Sequence, residues 1–302
     1  MDIIGKRNWY FIISLLVIIP GIISLFVFGL NLSIDFTGGS RLTFSLQKSA
    51  TIEEIEKIRS AFENEKIKVS TIEKSNNLVF VRTQPIDQAQ DTKVVKKLES
   101  EIKEFKQEEF ETIGPTIGAE TTSNAVKAVI IASLLIVLYI TLSFRKVPKP
   151  ASSFRFGICA IIALVHDVLV VMGAFAIFGY FFGVEIDSLF VTAILTVIGF
   201  SVHDTIVVFD RIRENLKRRG VMNFPQVVND SILQTIDRSL NTSLTVILVL
   251  LAMLLFGGES IKWFVVALLV GITTGTYSSI FIAAALLVVW QNWSQKRKSK
   301  SN

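Results

Sequence analysis

Polar and apolar positions along the chain alternate on two very different scales. Six long apolar segments run from about Tyr10 to Leu30, Ala125 to Phe144, Phe156 to Phe182, Leu189 to Phe209, Leu240 to Phe256 and Trp263 to Trp290. About 20 apolar residues in a helix span the ~30 Å hydrocarbon layer of a bilayer, so each segment predicts a transmembrane helix. The first follows Lys6 and Arg7 and lacks a small-x-small cleavage site, which predicts an uncleaved helix rather than a signal peptide.

Between the first two segments the pattern shortens. Arg41-LTFSL alternates as a strand, and Ile52, Ile55, Ile58 and Phe62 recur at helical spacing behind Thr51 and Glu54, a start signal. Ile67-KVSTI and Leu78-VFVRT predict two strands joined by a turn at Asn76 and Asn77. Val94, Val95, Leu98, Ile102 and Phe105 predict a second amphipathic helix over residues 91–105, and Glu109-FETIG a closing strand. The order β-α-β-β-α-β is the ferredoxin-like signature. This stretch holds no His, no Cys and no Gly-rich phosphate loop, which favours a binding or lever module over an enzyme. The expected architecture is an all-α bundle of six transmembrane helices with a small α+β ferredoxin-like domain between helices 1 and 2. Its divisions are 1–30, the N-terminus and helix 1; 31–123, the α+β domain; 124–291, helices 2–6; and 292–302, a basic tail.

Charge adds orientation. Lys6 and Arg7, then Arg145, Lys146, Lys149 and Arg155, then Arg211, Arg213, Lys217, Arg218 and Arg219, then Lys296, Arg297, Lys298 and Lys300 fall on one side of the six-helix arrangement. The opposite short loops, Gly183-VEIDS and Gly257-GESIK, are acidic or nearly uncharged. The positive-inside rule then places both termini in the cytoplasm and residues 31–123 outside. Composition agrees with a membrane protein: 51% of residues are hydrophobic, 19% are charged, and the mean hydropathy is +0.54. The net charge of +5 is explained by this placement and needs no nucleic acid. One cysteine, Cys159, excludes an intramolecular disulfide, and two histidines are too few for a histidine-rich metal site; no metal or organic cofactor is expected.

Chemistry concentrates on polar residues inside the apolar segments. Asp204 lies two-thirds of the way along the fourth, where an ionised carboxylate costs a few kcal/mol. It shares a helix face with Val208 and Arg211. On the fifth segment Arg238, Asn241, Thr242 and Thr245 form a stripe at spacings of three and four, with Arg238 at a depth similar to Asp204. Arg238 has two options, reaching inward to the carboxylate or snorkelling outward to the headgroups. Asp204 likewise has two readings: a proton-exchanging group, or a lock that hydrogen-bonds Thr and Ser neighbours. His166-Asp167 on the third segment and His203-Asp204 on the fourth form similar pairs without implying a repeat, because the helices run in opposite directions. If those helices pack together, His166 and Asp167 join a polar cluster near Asp204. Two membrane aspartates also raise an intramembrane aspartyl protease, but the Gly-x-Gly-Asp setting is replaced here by Ser201-VHD. Gly271, Gly275 and Ser279 have small-xxx-small spacing, which predicts close helix packing.

With these residues in view, the chain resembles the SecF branch of the SecD/SecF family of protein-export membrane proteins, within the resistance-nodulation-division superfamily. The resemblance rests on Asp35-FTGG (with Gly38 and Gly39), Gly114-PTIGAE, His166-DV, Glu185-ID, Val197-IGFSVHDTIVVFDRIREN, Gln234-TIDRSLNTSLT and Phe256-GG. A single outer domain of modest size matches the smaller member of the pair. The resemblance implies a non-enzymatic subunit that uses the proton-motive force, with SecD, to promote late translocation of unfolded secretory polypeptides through SecYEG. YajC and YidC are further implied partners, the bacterial cytoplasmic (inner) membrane is the implied location, and the proton is the only coupling ion. Carried over by motif, Asp204 is the proton-carrying acid, and Arg238 and Thr242 are its partners on the fifth helix. Asp237 and Ser239 flank Arg238 where the family more often has Ser or His, and Thr. The alternative is a stand-alone proton-driven exporter of small molecules or lipids from the same superfamily. A scaffold that steadies the translocon is a third reading, and it would tolerate neutralisation of Asp204.

Overall fold

A computed structural model of the chain describes residues 1–75, 77–102, 104–145, 152–219 and 223–300. The expected turn residue Asn76 and the loop lysines Lys146 and Lys149 lie outside the described residues, as do the side chains of Arg219, Lys296, Lys298 and Lys300. The chain divides into two units, Leu32–Val126 on one hand and Met1–Asn31 with Lys127–Asn302 on the other.

Six helices are long and apolar enough to cross a membrane. They are α1 (Arg7–Val27), α5 (Pro115–Ser143), which starts within the unit Leu32–Val126, α6 (Ser153–Phe182), α7 (Ser188–Arg219) and α8 (Phe224–Phe256). The sixth span runs through α9 (Lys262–Tyr277), a π-helical turn (Ser278–Ala283) and the start of α10 (Ala284–Lys300). The helices outrun the apolar segments that predicted them. At 33 residues α8 is about 50 Å long, well beyond the hydrocarbon thickness. Its first turns are amphipathic rather than apolar, burying Phe224, Val227, Val228, Ser231 and Ile232. Hydropathy sees only the membrane-embedded part.

Close approach sets the packing. A Cβ on Gly173 of α6 would lie 2.5 Å from the Cα of Gly21, so α1 and α6 meet backbone to backbone. On α9, a Cβ on Gly271 would lie 2.2 Å from Val197 and one on Gly275 3.1 Å from Ser201. The small-residue stripe therefore admits α7 to within side-chain-free distance, as its spacing predicted.

The unit Leu32–Val126 begins with the short helix α2 (Ile34–Thr37) and is then built on β1 (Gly39–Ser45), α3 (Ile52–Asn64), β2 (Val69–Ser75), β3 (Leu78–Thr83), α4 (Gln88–Glu101) and β4 (Lys106–Ile113). The sheet is antiparallel throughout, in the order β2-β3-β1-β4, with Leu42 opposite both Val81 and Phe110. Capping boxes start both longer helices, Thr51 with Glu54 and Asp87 with Gln90. Leu42, Phe44, Ile58, Phe62, Val79, Val81, Val94 and Leu98 are fully buried, each such side chain contributing roughly 1.5–3 kcal/mol. Two expectations fail here. Ile102 and Phe105 join the core from beyond the end of α4 rather than from the helix, because Ile102 has left helical geometry at φ −122° and ψ 124°. Ile52 is 83% exposed although its spacing matched the buried stripe, since it sits on the first turn, where the helix overhangs the core.

Asp91 is buried in α4, where its carboxylate accepts from Gln107 Nε2 (2.7 Å) and Gln88 Nε2 (3.1 Å). Burial raises its pKa above the usual carboxylate value, and the two amide donors oppose that shift only in part. A raised folded-state pKa means that the folded chain holds this proton more tightly than the unfolded one. Stability from this group is therefore full at acid pH and falls as pH rises from about 4 through the folded value. Asp91→Asn is expected to remove that decline in the full chain. Amide-exchange protection of β1 and β3 followed across this pH range is the measurement, and an unchanged pH profile would contradict it.

Candidate functional site

The six-span unit buries two aspartates in very different company. Asp167, on α6, is saturated with donors. Its Oδ2 accepts from Ser201 Oγ of α7 (2.5 Å) and from Ser278 Oγ of the π-helical turn (2.7 Å). Its Oδ1 lies 2.9 Å from Nδ1 of the buried His166. With Nδ1 donating to the carboxylate, the neutral ring accepts at Nε2 from Ser14 Oγ of α1, 2.9 Å away. One carboxylate thus ties together α1, α6, α7 and the sixth span. The π turn is where the last of these reaches it, consistent with the tendency of such turns to sit at functional positions.

Asp204, one turn beyond Ser201 on α7, is equally buried but poorly held. Its Oδ2 lies 3.5 Å from Ser243 Oγ of α8 and its Oδ1 3.6 Å from His203 Nδ1. At 3.5 Å the Ser243 contact is at the limit of a hydrogen bond. Ser243 Oγ is 2.6 Å from Thr276 Oγ1 of α9, which also lies 2.9 Å from Ile272 O. Ser243 thus donates to Asp204 only at long range, while its short contact is with Thr276, where either hydroxyl can be the donor. Asp204 is therefore held by two long contacts, whereas Asp167 is held by three short ones.

The two aspartates do not hydrogen-bond each other among the described residues. Serines and threonines lie between them: Thr205 Oγ1 and Ser279 Oγ are 2.8 Å apart, and Ser279 donates to the Ser201 carbonyl at 3.0 Å. Ser239, one turn before Ser243 on α8, is buried, and its hydroxyl has no hydrogen-bond partner among the described residues.

Of the two options for Arg238, this chain shows the outward one. Arg238, Asn241, Thr242 and Thr245 do share a face, but it is the exposed one. Thr242 and Thr245 satisfy their hydroxyls on the Arg238 and Asn241 carbonyls, and Arg238 forms no ion pair among the described residues. Arg238 reaches a suitable depth, yet it lies about 140° around the helix from Ser243, the residue that meets Asp204. The face turned inward carries Ser231, Thr235, Ser239 and Ser243. Arg211 also lies away from Asp204, pairing with Glu214 at 2.6 Å and donating to Gln234 of α8. His203 is 62% exposed beside the buried Asp204, the reverse of the buried His166.

The sequence reading missed Ser14, Ser201, Thr205, Ser243, Thr276, Ser278 and Ser279. One signal was present: Ser231, Thr235, Ser239 and Ser243 repeat at four residues, a steadier helical stripe than the one selected.

The glycine motif after α1 is a packing device. Gly38 and Gly39 have φ of +70° and +128°, where side chains are strained. A Cβ on Gly38 would fall 2.9 Å from Pro115 Cα, and one on Gly118 would fall 2.8 Å from Gly38 N. Gly38-Gly39 and Gly114-PTIGAE are thus two halves of one close contact. Asp35 sits in the first turn of α2, beside the capping Ser33.

Comparison with known proteins agrees with these motifs. The family described as "Protein export membrane protein SecD/SecF, C-terminal" matches residues 93–293, and "SecD/SecF GG Motif" matches residues 23–50. The protein translocase subunit SecF of Thermobaculum terrenum is 49% identical over 302 residues, covering 97% of this chain and 94% of its own. SecDF of Bacillus subtilis is 37% identical over 303 residues, 99% of this chain but 39% of that one. The crystal structure of SecDF, a translocon-associated membrane protein from Thermus thermophilus, superposes with a TM-score of 0.81 at 34% identity. It covers 97% of this chain, which spans 39% of that one. On these matches, the chain is a multi-pass membrane protein that belongs to the SecD/SecF family of protein-export membrane proteins.

Proposed function

We propose that the chain is the SecF-type subunit of a Sec protein translocase, coupling proton entry at Asp204 to late movement of secretory polypeptides through SecYEG. The observation that carries this reading is the contrast between the two buried aspartates. One is locked by three short contacts; the other has two long ones, with an exposed histidine beside it. A scaffold would have both locked. On this reading the proton is the coupling ion and the subunit needs neither an organic cofactor nor an enzymatic step; the separate sets of hydroxyls around the two aspartates speak against an aspartyl-protease dyad.

The partner is a SecD-type subunit. In a helix that crosses a membrane, the exposed stripe Arg238, Asn241, Thr242 and Thr245 would be costly against acyl chains, and a polar surface on a second bundle relieves that cost. Arg238 and Thr242 then act across that interface, where Arg238 can approach Asp204 as the bundles move. YajC and YidC are further partners by family. The Lys and Arg distribution supports the inner membrane with both termini cytoplasmic and residues 31–123 extracytoplasmic. The sheet order β2-β3-β1-β4 with two helices supports a ferredoxin-like fold for that domain, which would hold emerging polypeptide against back-sliding.

The test is complementation. In bacteria depleted of their own SecF-type subunit, co-expression of this chain with its SecD-type partner is expected to restore the proton-gradient-dependent stage of export. Failure to do so, with both chains abundant and associated in the membrane, would contradict the proposal.

A further inference from the structure

At the end of the six-span bundle where α1 and α6 begin and α10 ends, two cavities share Val289 and Trp293. One, of about 400 Å³, is lined by Arg7, Val289, Asn292, Trp293 and Gln295. The other, of about 350 Å³, is lined by Cys159, Ile162, Leu286, Val289, Trp290 and Trp293. The first is the more polar of the two, with a guanidinium at its edge; the second is almost wholly apolar. Together they form one amphipathic groove. Two more arginines border it. Arg297 lies over the Trp293 ring, 4.0 Å from its centre, and Arg155, one turn before Cys159, donates to Ser294 Oγ at 2.9 Å and also contacts Gln291. Among the described residues, Arg7, Arg155 and Arg297 form no ion pair with any carboxylate. The apolar part opens outward, with Ile162 and Val289 exposed on a helix face in the span.

We infer that this groove binds one anionic phospholipid, its phosphate between Arg7 and Arg297 and one acyl chain along Ile162, Leu286, Val289 and Trp290. Charge complementarity selects the occupant: Arg7 and Arg297, two guanidiniums without an ion pair among the described residues, sit beside an apolar slot and fit a phosphodiester with a hydrocarbon tail. A zwitterionic lipid would bring its own cation to the same rim. Trp293 sits where the polar and apolar parts meet, the position such rings prefer at a membrane surface, and Trp290 lines the apolar part. A lipid held here would pin the ends of α1, α6 and α10 to one another. The inference rests on the helices spanning a bilayer and not on the export reading.

Trp9, Trp263, Trp290 and Trp293 are the four tryptophans, so Trp9→Phe with Trp263→Phe leaves only the two indoles of the groove. The full chain carrying both changes is reconstituted in phosphatidylcholine vesicles with a minor fraction of brominated phosphatidylglycerol or, in parallel, brominated phosphatidylcholine. Quenching by the anionic lipid is expected at a lower fraction than by the zwitterionic one, and that preference should shrink by about fivefold with each of Arg7→Gln and Arg297→Gln. Both arginines are at helix ends, and circular dichroism checks that the helices persist. Equal quenching by the two lipids, a preference that survives the double arginine variant, or protection from both lipids by another chain seated in the groove would each overturn the inference.

Discussion

Asp204→Asn is expected to leave the chain folded and associated with its partner while abolishing the gradient-dependent part of export. The amide is isosteric, and the contacts it inherits are long, 3.5 Å to Ser243 and 3.6 Å to His203. Little hydrogen-bond energy is lost, under about 1 kcal/mol. What disappears is the exchangeable proton. One charge crossing 100 mV supplies about 2.3 kcal/mol, roughly a fiftyfold bias on a conformational equilibrium. Export measured in inverted vesicles at matched abundance should therefore fall to the level of the parent with its gradient collapsed. Undiminished gradient-dependent export would leave the chain a scaffold.

Asp167→Ala is expected to have the opposite profile, a severe loss of stability. Removing this carboxylate strands Ser201 and His166 Nδ1 in the interior and leaves Ser278 only its longer bond to the Gly275 carbonyl, in a cavity the size of the lost carboxylate. Each buried group so stranded costs about 1–3 kcal/mol, so the total is roughly 3 kcal/mol or more. The damage falls on all the helices that meet there, α1 through Ser14 included. Thermal unfolding of the detergent-solubilised chain should separate the two aspartates, with Asp204→Asn near the parent and Asp167→Ala far below it. Equal shifts would mean that the contrast in donors has no energetic content.

Much of this arrangement was legible in the residues, and the failures share a cause. The spans follow from apolar length, and Leu78–Thr83 forms a strand over the residues its alternation marked. Helix ends were set short because polar turns such as the start of α8 lie beyond the hydrocarbon. Asp204 was identifiable because a carboxylate in an apolar run is conspicuous, whereas Ser14 or Ser278 is not. A serine or threonine in a helix can satisfy itself on a carbonyl three or four residues back, so sequence alone does not say which hydroxyls face a neighbour. The choice of Arg238 over the Ser239–Ser243 face was the same problem. Depth can be read along a segment, but the face that meets another helix is fixed by packing, here by glycines that draw α9 against α7.

On the proposed function, a carboxyl group changes protonation inside the bundle when a proton gradient is imposed. Infrared difference spectroscopy of the reconstituted complex tests this directly, by comparing carboxyl bands before and after acidification of one side. A protonated-carboxyl band that appears in the parent and is missing in Asp204→Asn, with Asp167 present in both, is the predicted result. Identical difference spectra from parent and variant would show that Asp204 does not carry the proton.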